Sequence, residues 1–436
     1  MREDWVEFEL KEVFNIVNGN TPPTKDTANY GGEIPFVKPP NLWYGSVTTT
    51  QEYLTVKGAE RSRVLPPLST LVTCIGNLGR AGINKKEVAF NQQINGIKPA
   101  NFVNSFFTFY QVQSPYFKLQ LEKKSSATTV AIVNKGNFET IKYRLAPLPE
   151  QRAIVAKIEE LFSSLDSGIA DLEKAQDQLK IYRQAVLKKA FEGDYSKKEF
   201  DLRKIDSLCE VVRGGSPRPA GSPIFYDGPI PFMKVKDISR NTGIYVDAAE
   251  HSIKVAGLKR TRLVEPYTLL LTNSGATLGI PAITRIETTF NDGVAAFLGL
   301  NKDDLLYHYY FWCSKTTYLR NLNQGAAQPN LNTAIIGEMK IPVYSDKEEY
   351  VKIVQEIESR LSVCDKVEET IVMSLEKAKA LRQSILKKAF EGKLLSKQEL
   401  VACKAASDYE PASVLLKRIK AEKTTTEKKE PVKKKK

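Results

Sequence analysis

The stretch RQAVLKKAFEG at residues 183–193 recurs as RQSILKKAFEG at residues 382–392. Nine of the eleven positions are identical, at an offset of 199 residues. Chance does not produce such a match, and the offset is far longer than the period of about 20–50 residues found in solenoid repeats. We therefore predict that the chain consists of two domain-sized copies of one unit.

Weaker matches upstream of these stretches follow nearly the same offset. Arg63 aligns with Arg262 and Gly76 aligns with Gly275. The sequence GNTP at residues 19–22 resembles GGSP at residues 214–217, and IPF at residues 34–36 recurs at residues 230–232. Each copy thus contains about 150 divergent residues followed by about 45 more similar residues.

The similar segments carry an apolar residue at every seventh position. In the first copy these are Ile158, Leu165, Leu172, Leu179 and Val186. In the second copy they are Ile357, Cys364, Ile371, Ala378 and Ile385, with Leu361 and Leu375 widening the stripe. This spacing is typical of a helix that packs lengthwise on a partner helix. We predict two helices of about 40 residues, each roughly 60 Å long.

Two such helices in one chain pair most simply with each other, in antiparallel orientation, because each then buries its stripe without a second molecule. The alternative is a coiled coil that joins two chains. The first helix has prolines before it, at positions 147 and 149, and each helix has a glycine after it, Gly193 and Gly392, as helix boundaries require.

The divergent segments show the signals of mixed α/β structure. Short β-rich runs at residues 69–75 and 267–272 alternate with turns rich in Gly, Pro and Asn. Residues 104–121 and 304–322 are rich in aromatic side chains and predict helices. We therefore predict an α+β fold with two mixed α/β domains separated by two long antiparallel coiled-coil helices, related by an internal pseudo-twofold duplication.

The predicted boundaries follow from these patterns. Residues 1–147 form the first domain, 148–195 the first long helix, 196–345 the second domain, 346–395 the second long helix, and 396–436 a polar, Lys-rich tail. Within the tail, Glu410-Pro411 starts a short helix that ends at Ile419. The remaining low-complexity residues are expected to be disordered.

The composition is that of an ordinary soluble protein, with 42% hydrophobic and 26% charged residues. We find no apolar run of about 18 residues, and the start of the chain lacks the pattern of a signal peptide. Five widely spaced cysteines suggest free thiols in a reducing compartment. With only two histidines, His251 and His308, we expect no metal site.

The net charge of +13 favours a polyanionic partner. Residues 420–436 hold eight Lys and three Glu and so contribute +5, which leaves +8 on the rest of the chain. Charge alone also fits a soluble protein that happens to be basic.

The sequence lacks the motifs of P-loop nucleotide hydrolases, methyltransferases and metal-dependent nucleases. We find no P-loop. We also find no Gly-rich turn with the Asn/Asp-Pro-Pro-aromatic tetrad of a cofactor-binding methyltransferase, because the nearest match, KPPN at residues 38–41, differs at its first and last positions. Glu9-Leu10-Lys11 fits only the short half of a nuclease metal motif. We therefore expect no catalytic residues and no cofactor bound by this chain.

Several loop-like clusters instead have side chains suited to DNA. Base edges are read by Arg, Lys, Asn and Gln, and phosphates are bound by Lys, Arg and Ser. The candidates in the first copy are Lys38, Asn41, Arg61, Arg63, Asn77, Arg80, Gln92 and Gln93. Those in the second copy are Lys234, Lys236, Arg260, Arg262, Asn273, Ser274, Gln328 and Asn330. Each of them also fits a solvated surface residue or a turn former.

The chain resembles the specificity subunits of type I restriction–modification systems. LPEQRAIV at residues 148–155 resembles the start of their central helix, and residues 382–392 resemble the end of their second helix. GGSP at residues 214–217, followed by IPF, resembles the opening of a target-recognition domain, and EPASVLL at residues 410–416 resembles a tail segment of some members. The second copy departs from the pattern at residues 345–350, where only Glu349 falls opposite Glu150.

This resemblance implies a non-catalytic protein in which each domain reads one half of a split double-stranded DNA site in the major groove. It also implies that the helices set the separation and dock two methyltransferase subunits, and that restriction subunits join the complex. S-adenosylmethionine, ATP and Mg²⁺ are then expected on those partners. The alternative is a duplicated coiled-coil adaptor that joins proteins without sequence-specific DNA binding.

Overall fold

A computed structural model describes residues 2–43, 45–126, 130–322 and 331–429, apart from the side chains of residues 426–429. The chain divides into two compact units. Unit 1 comprises Met1–Asp171 and Ser374–Lys436, and unit 2 comprises Leu172–Met373. The division passes through both long helices, so that each unit contains one α/β domain and a part of each helix.

Unit 1 is built on two mixed sheets and a strand pair. Its strands are β1 (Val6–Glu9), β2 (Ile16–Asn18), β3 (Tyr30–Val37), β4 (Ser46–Val47), β5 (Tyr53–Leu54), β6 (Val64–Leu65), β7 (Thr70–Thr73), β8 (Ala81–Asn84), β9 (Val88–Phe90), β10 (Ile94–Ile97) and β11 (Lys142–Leu145). The five-stranded sheet has the order β2-β10-β7-β8-β4, the four-stranded sheet has the order β5-β3-β9-β6, and β1 pairs with β11. The helices before the long segment are α1 (Leu10–Val13), α2 (Val56–Glu60), α3 (Ser105–Val112), α4 (Pro115–Lys123) and α5 (Lys135–Glu139), and α6 (Leu148–Ala190) is the first long helix.

Unit 2 repeats this topology strand for strand. Its strands are β12 (Asp201–Lys204), β13 (Glu210–Arg213), β14 (Tyr226–Met233), β15 (Tyr245–Val246), β16 (His251–Ile253), β17 (Arg262–Val264), β18 (Thr268–Thr272), β19 (Pro281–Thr284), β20 (Thr288–Phe290), β21 (Val294–Leu298) and β22 (Lys340–Val343). Its sheets have the orders β13-β21-β18-β19-β15 and β16-β14-β20-β17, and β12 pairs with β22. The helices are α7 (Val235–Ser239), α8 (Leu305–Leu322), α9 (Thr333–Gly337) and the second long helix, α10 (Glu348–Phe390). The predicted duplication and fold class are confirmed.

The aromatic-rich segments are helical in both units, but only one of them is continuous. In unit 2 the segment forms α8, whereas in unit 1 Gln113 and Ser114 separate α3 from α4, which begins at Pro115. A proline has no backbone N–H to donate within a helix, and it is best tolerated in the first turn, where Pro115 lies.

The long helices are anchored to the domains by equivalent aromatic contacts. In unit 1 the ring of Phe390, at the end of α10, lies 5.1 Å from that of Phe107 on α3. In unit 2 the ring of Phe191, just after α6, lies 5.1 Å from that of Tyr307 on α8. Phe191 and Phe390 both belong to the repeated eleven-residue stretch, which explains why this stretch changed so little between the copies.

The two long helices pack against each other within each unit, with opposite ends paired. In unit 1 the first half of α6 meets the last part of α10, and Arg382 forms an ion pair with Asp166. In unit 2 the last part of α6 meets the first part of α10, and Arg183 Nη2 lies 2.7 Å from Asp365 Oδ1. This pairing is the antiparallel arrangement that we predicted.

The heptad positions lie along the inner side of the pair. Ile158, Val186, Ile357, Cys364, Ile371, Ala378 and Ile385 are buried. Leu165, Leu172, Leu179, Leu361 and Leu375 are half-buried. The pair is therefore well covered where a domain packs on it and more open elsewhere.

The C-terminal segment is more ordered than we predicted. It forms α11 (Lys397–Lys404) and α12 (Ala412–Lys429), so the expectation that structure ends at Ile419 is wrong for residues 420–429. Ala412, Leu415 and Ile419 form a buried apolar stripe that packs on unit 1, and Lys420 Nζ lies 2.6 Å from Glu12 Oε2. Residues 430–436, the end of the Lys-rich run, lie outside the described residues.

Within the described part of the chain, no helix combines the length and the hydropathy that a membrane span requires.

Candidate nucleic-acid interface

In unit 1, the loops that follow four strands gather at one edge of the two sheets. Strands β3 and β9 are parallel and therefore end at the same edge, where the N–H of Asn91 donates to the carbonyl of Val37 at 3.0 Å. The N–H of Asn20, after β2, donates to Phe90 at 3.0 Å, and the N–H of Cys74, after β7, donates to Gln93 at 2.8 Å. Residues 18–21, 38–43, 74–80 and 91–93, with residues 61–63 bonded to Asn20, form what we call the loop edge of unit 1.

Unit 2 builds the same edge from equivalent loops. The N–H of Asn291, after β20, donates to Met233 at 3.0 Å, and the N–H of Asn273, after β18, donates to Gly293 at 2.9 Å. Arg262 Nε donates to the carbonyl of Arg213 at 3.2 Å. Residues 213–217, 234–237, 260–262, 273–279 and 291–293 form the loop edge of unit 2.

One glycine in each copy permits this close approach of backbones. A Cβ atom on Gly19 would lie 2.1 Å from the carbonyl oxygen of Asn91, and one on Gly214 would lie 2.3 Å from that of Asn291. Neither distance leaves room for a side chain. The repeated Gly-x-Thr/Ser-Pro motif in the sequence thus marks the place where two loops of the edge touch.

All eight residues predicted for DNA contact in the first copy lie on the loop edge of unit 1. Arg61, Arg63, Asn77 and Gln92 are exposed, whereas Lys38, Asn41, Arg80 and Gln93 are half-buried. The structure thus brings together residues that the sequence separates by up to 55 positions.

Several of these side chains also have local partners. Asn41 Oδ1 accepts a hydrogen bond from the Lys38 N–H at 2.8 Å, and Lys38 forms an ion pair with Glu52. Arg61 Nη1 lies 2.8 Å from Asp26 Oδ2, and Arg63 Nη1 donates to the Asn18 carbonyl at 2.6 Å. These contacts orient the guanidinium groups and leave some of the five donors of each available for a ligand.

The second copy presents a smaller set of predicted residues. Lys236, Arg260 and Arg262 are exposed, and Lys234 and Ser274 are half-buried. Asn273 is fully buried at the end of β18, so it does not present its amide to a base from this position. Gln328 and Asn330 lie outside the described residues.

Sequence reasoning missed an aromatic residue at the loop edge of unit 1. Trp43 is 69% exposed, and its ring lies 4.8 Å from the guanidinium carbon of Arg80. An exposed indole that supports a guanidinium is well placed for a partner with flat aromatic faces and negative charge. The run of prolines before Trp43 marks a turn in the sequence, but only the fold brings Arg80 to it.

The chemistry of the loop edges is that of recognition. Arginine and lysine bind phosphates, while Asn, Gln and Arg donate and accept hydrogen bonds at base edges. Burial raises the pKa values of Cys74, Cys209 and Cys313 to about 12, so these three thiols stay protonated near neutral pH. Among the described residues, no group of three or more His, Cys, Asp and Glu side chains is arranged to hold a metal ion.

The family model "Type I restriction modification DNA specificity domain" matches residues 2–177 and again residues 197–377. The chain belongs to this family. The two matches coincide with the two sequence copies, so each copy is one specificity domain with its share of the long helices.

Known members resemble the chain along its whole length. It is 22% identical to the EcoKI specificity subunit of Escherichia coli K12 over 97% of this chain and 96% of the relative. It is 24% identical to the EcoBI specificity subunit of Escherichia coli, over 98% and 94% of the two chains. The StySPI specificity subunit of Salmonella potsdam is 22% identical, over 97% and 96%.

Two solved structures share the fold. One, from a study of assembly and conformational transition in a type I restriction–modification system, has a TM-score of 0.69 at 18% identity and covers 90% of this chain and 99% of that one. The HsdS subunit of Thermoanaerobacter tengcongensis has a TM-score of 0.57 at 18% identity, with 90% and 98% coverage.

Proposed function

We propose that this specificity subunit reads a bipartite DNA sequence, one half with the loop edge of each unit. The observation that carries the proposal is that the same topology presents a different set of side chains in each copy. Arg80 and Gln92 of unit 1 occupy the positions of Ile280 and Asp292 in unit 2, although the arginines at 61 and 63 recur at 260 and 262. Since base readout depends on the side chains offered, two edges of one fold with different side chains suit two different half-sites.

The chain also serves as a scaffold in this proposal. Methyltransferase subunits, two per chain, and restriction subunits supply the chemistry, and S-adenosylmethionine, ATP and Mg²⁺ bind to those partners rather than to this chain. The lack of a P-loop and of a methyltransferase tetrad in the sequence supports this division of labour. Such a complex acts on cellular DNA, which places the chain in the cytoplasm of a bacterium or archaeon.

Methylation mapping in cells tests the DNA-reading function directly. We expect deletion of the gene to abolish methylation at one split adenine motif and reintroduction of the gene to restore it, as measured by long-read sequencing. Unchanged methylation after deletion would contradict the proposal.

Binding of the purified chain separates this function from that of an adaptor. With its methyltransferase partner, the chain should prefer the mapped motif over shuffled DNA, and the affinity should fall steeply with salt because phosphate contacts release counterions. Equal affinity for both DNAs would favour the adaptor. Transfer of methyl groups by the isolated chain, incubated with S-adenosylmethionine and Mg²⁺, would contradict the scaffold role.

A further inference from the structure

Each unit contains a pocket between its domain and its helix pair, and the two pockets are equivalent. The pocket of unit 1, with a volume of about 560 Å³, is lined by Tyr110, Glu159, Phe162, Ser163, Asp166 and Arg382, among others. The pocket of unit 2, of about 430 Å³, is lined by Tyr310, Glu358, Leu361, Ser362, Asp365 and Arg183. Each residue of the first list matches the residue at the same place in the second list, at an offset of 199 or 200 positions. Five of the six matched positions carry the same residue in both copies, and the sixth is apolar in both.

The polar groups make the same contacts in both pockets. Arg382 forms an ion pair with Asp166 in unit 1, as Arg183 does with Asp365 in unit 2. The hydroxyl of Tyr310 donates to Glu358 Oε1 at 3.2 Å, and in unit 1 burial, with the nearby carboxylate of Glu159, raises the pKa of Tyr110 to about 12. The two pockets therefore offer one chemical environment twice.

Maintenance of the fold accounts for only part of the identity between the residues of the two pockets. The Arg–Asp and Tyr–Glu pairs fasten elements within each unit, but Ser163 and Ser362 are exposed in the pockets and identical in both copies. Neighbouring exposed positions on the same helices have diverged, as Ser164 became Val363 and Gly168 became Val367. Between residues 159 and 179 of α6, the three positions that are identical in the second copy, Glu159, Ser163 and Asp166, all line the pocket, which indicates a shared ligand.

Charge identifies the kind of ligand. The groups common to both pockets are two carboxylates and one guanidinium, a net charge of −1 in a chain with a net charge of +13. In unit 2, Glu368 lies outside the pocket lining but contacts the arginine of the pocket, with its Oε2 2.8 Å from Arg183 Nη2. Lys85 also lines the pocket of unit 1, but its counterpart Arg285 lies over the ring of Tyr245 at 4.0 Å and does not line the other pocket.

Two carboxylates seven residues apart on one helix, such as Glu159 and Asp166, lie about 10 Å from each other along one face. A lysine or arginine side chain that reached Glu159 would gain charge-assisted hydrogen bonds, whereas a phosphate would be repelled by both carboxylates. Leu381 precedes Arg382, and Tyr182 precedes Arg183. Both side chains are large, apolar and about half exposed, as is typical of a protein contact.

We propose that each pocket receives the same lysine- or arginine-bearing segment, supplied by two copies of one protein partner. The proposal rests on the proposed function, in which that partner is the methyltransferase subunit. It adds the place of docking and the chemistry of the docking side chain.

Filling the pockets tests this directly. Gly45 and Gly243 line the pockets of units 1 and 2. A Cβ on Gly45 meets no atom within 4 Å, and one on Gly243 meets only Asn241 Oδ1 at 4.0 Å. The variants Gly45→Trp and Gly243→Trp therefore fill the pockets without a clash at Cβ. The matched control is Gly168→Trp on α6, where Cβ also meets no atom within 4 Å but which lines neither pocket.

The measurement is the mass of the complex that the full chain forms with the methyltransferase subunit of its own system. We expect two copies on the wild-type chain and on the control, one copy on each single variant and none on the double variant. Two copies on the double variant, or equal loss from the control, would overturn the proposal. If the wild-type chain bound no methyltransferase subunit, the scaffold role itself would fail, which is a different result.

A charge variant tests the chemistry of the ligand. Glu159→Gln with Glu358→Gln keeps the size of both side chains and removes the charge. We expect the affinity for the partner to fall about tenfold or more per site, since charge-assisted hydrogen bonds contribute about 1.5–3 kcal/mol. The affinity of each variant for DNA in the absence of the partner should stay unchanged, and an unchanged partner affinity would show that the ligand is not cationic.

Discussion

The loop edges and the helix-pair pockets occupy equivalent places in both units, yet they have evolved differently. Asn41, Arg80 and Gln92 at the loop edge of unit 1 are replaced by Asp237, Ile280 and Asp292 at that of unit 2, whereas the pockets keep Tyr, Glu, Ser, Asp and Arg in both copies. A duplicated surface that diverges suits two different ligands, and one that stays the same suits one ligand bound twice. This difference separates DNA reading from partner docking within one fold.

Exchange of a domain tests that separation most strongly. Residues 200–340 contain the loop edge of unit 2 but not the paired parts of the long helices. If they are replaced by the matching segment of a relative, one half of the methylated motif should change completely while the other half stays the same. Long-read methylation sequencing provides the measurement. A change in both halves would contradict the assignment of one half-site to each unit.

The cores of the two units also differ, at His308 of unit 2 and Thr108 of unit 1. Thr108 Oγ1 is hydrogen-bonded to the Tyr143 hydroxyl at 3.0 Å, whereas burial of His308 lowers its pKa to about 4. The ordinary pKa of histidine is about 6.5, so at acidic pH the unfolded state binds a proton that the folded state does not. The contribution of His308 to the stability of unit 2 should therefore be constant above pH 6.5, fall by about 3 kcal/mol as the pH drops towards 4, and then level off.

Chemical denaturation at a series of pH values measures this effect. In the variant His308→Gln, the part of the pH dependence between pH 6.5 and 4 should disappear. An equal slope in the wild-type chain and the variant would show that His308 is not the group responsible.

A smaller effect distinguishes two lysines at the loop edges. Lys236 is exposed, whereas Lys38 is half-buried and already forms an ion pair with Glu52. We expect Lys236→Ala to weaken DNA binding for all sequences alike and to reduce the slope of log affinity against log salt by about 1. Lys38→Ala should change the DNA affinity and the salt slope less than Lys236→Ala does. Fluorescence anisotropy at several salt concentrations measures both quantities. The reverse order would place the phosphate contact at Lys38.

The smallest expected change is at Trp43, which belongs to the loop edge of unit 1 alone. Trp5 is 3% exposed and Trp312 is fully buried, so Trp43 dominates any change in tryptophan emission on binding. We expect cognate DNA to quench this emission and the variant Trp43→Phe to show no quenching. Trp43→Ala removes the support of Arg80, a contribution of about 0.5–1 kcal/mol, and should weaken binding only about two- to fivefold. Quenching that persists in Trp43→Phe would place DNA near one of the other tryptophans.

The sequence by itself determined the duplication, the two long helices and their partnership. The eleven-residue repeat, the heptad stripes and the β-rich runs are local patterns, and local patterns depend on residues a few positions apart. The end of the chain was misjudged because Ala412, Leu415 and Ile419 form a stripe too short to predict a helix as long as α12. Most of the stability of such a helix comes from packing on unit 1.

Only the tertiary structure decided which polar side chains reach solvent and which residues share a site. Asn41 and Asn273 both follow strands in polar loops, yet one caps a turn and the other is buried. The pockets unite residues of α3 or α8 with both long helices, more than 180 positions apart, and Trp43 meets Arg80 only after β8 has joined its sheet. Such neighbours depend on long-range strand pairing and helix packing, which no local pattern records.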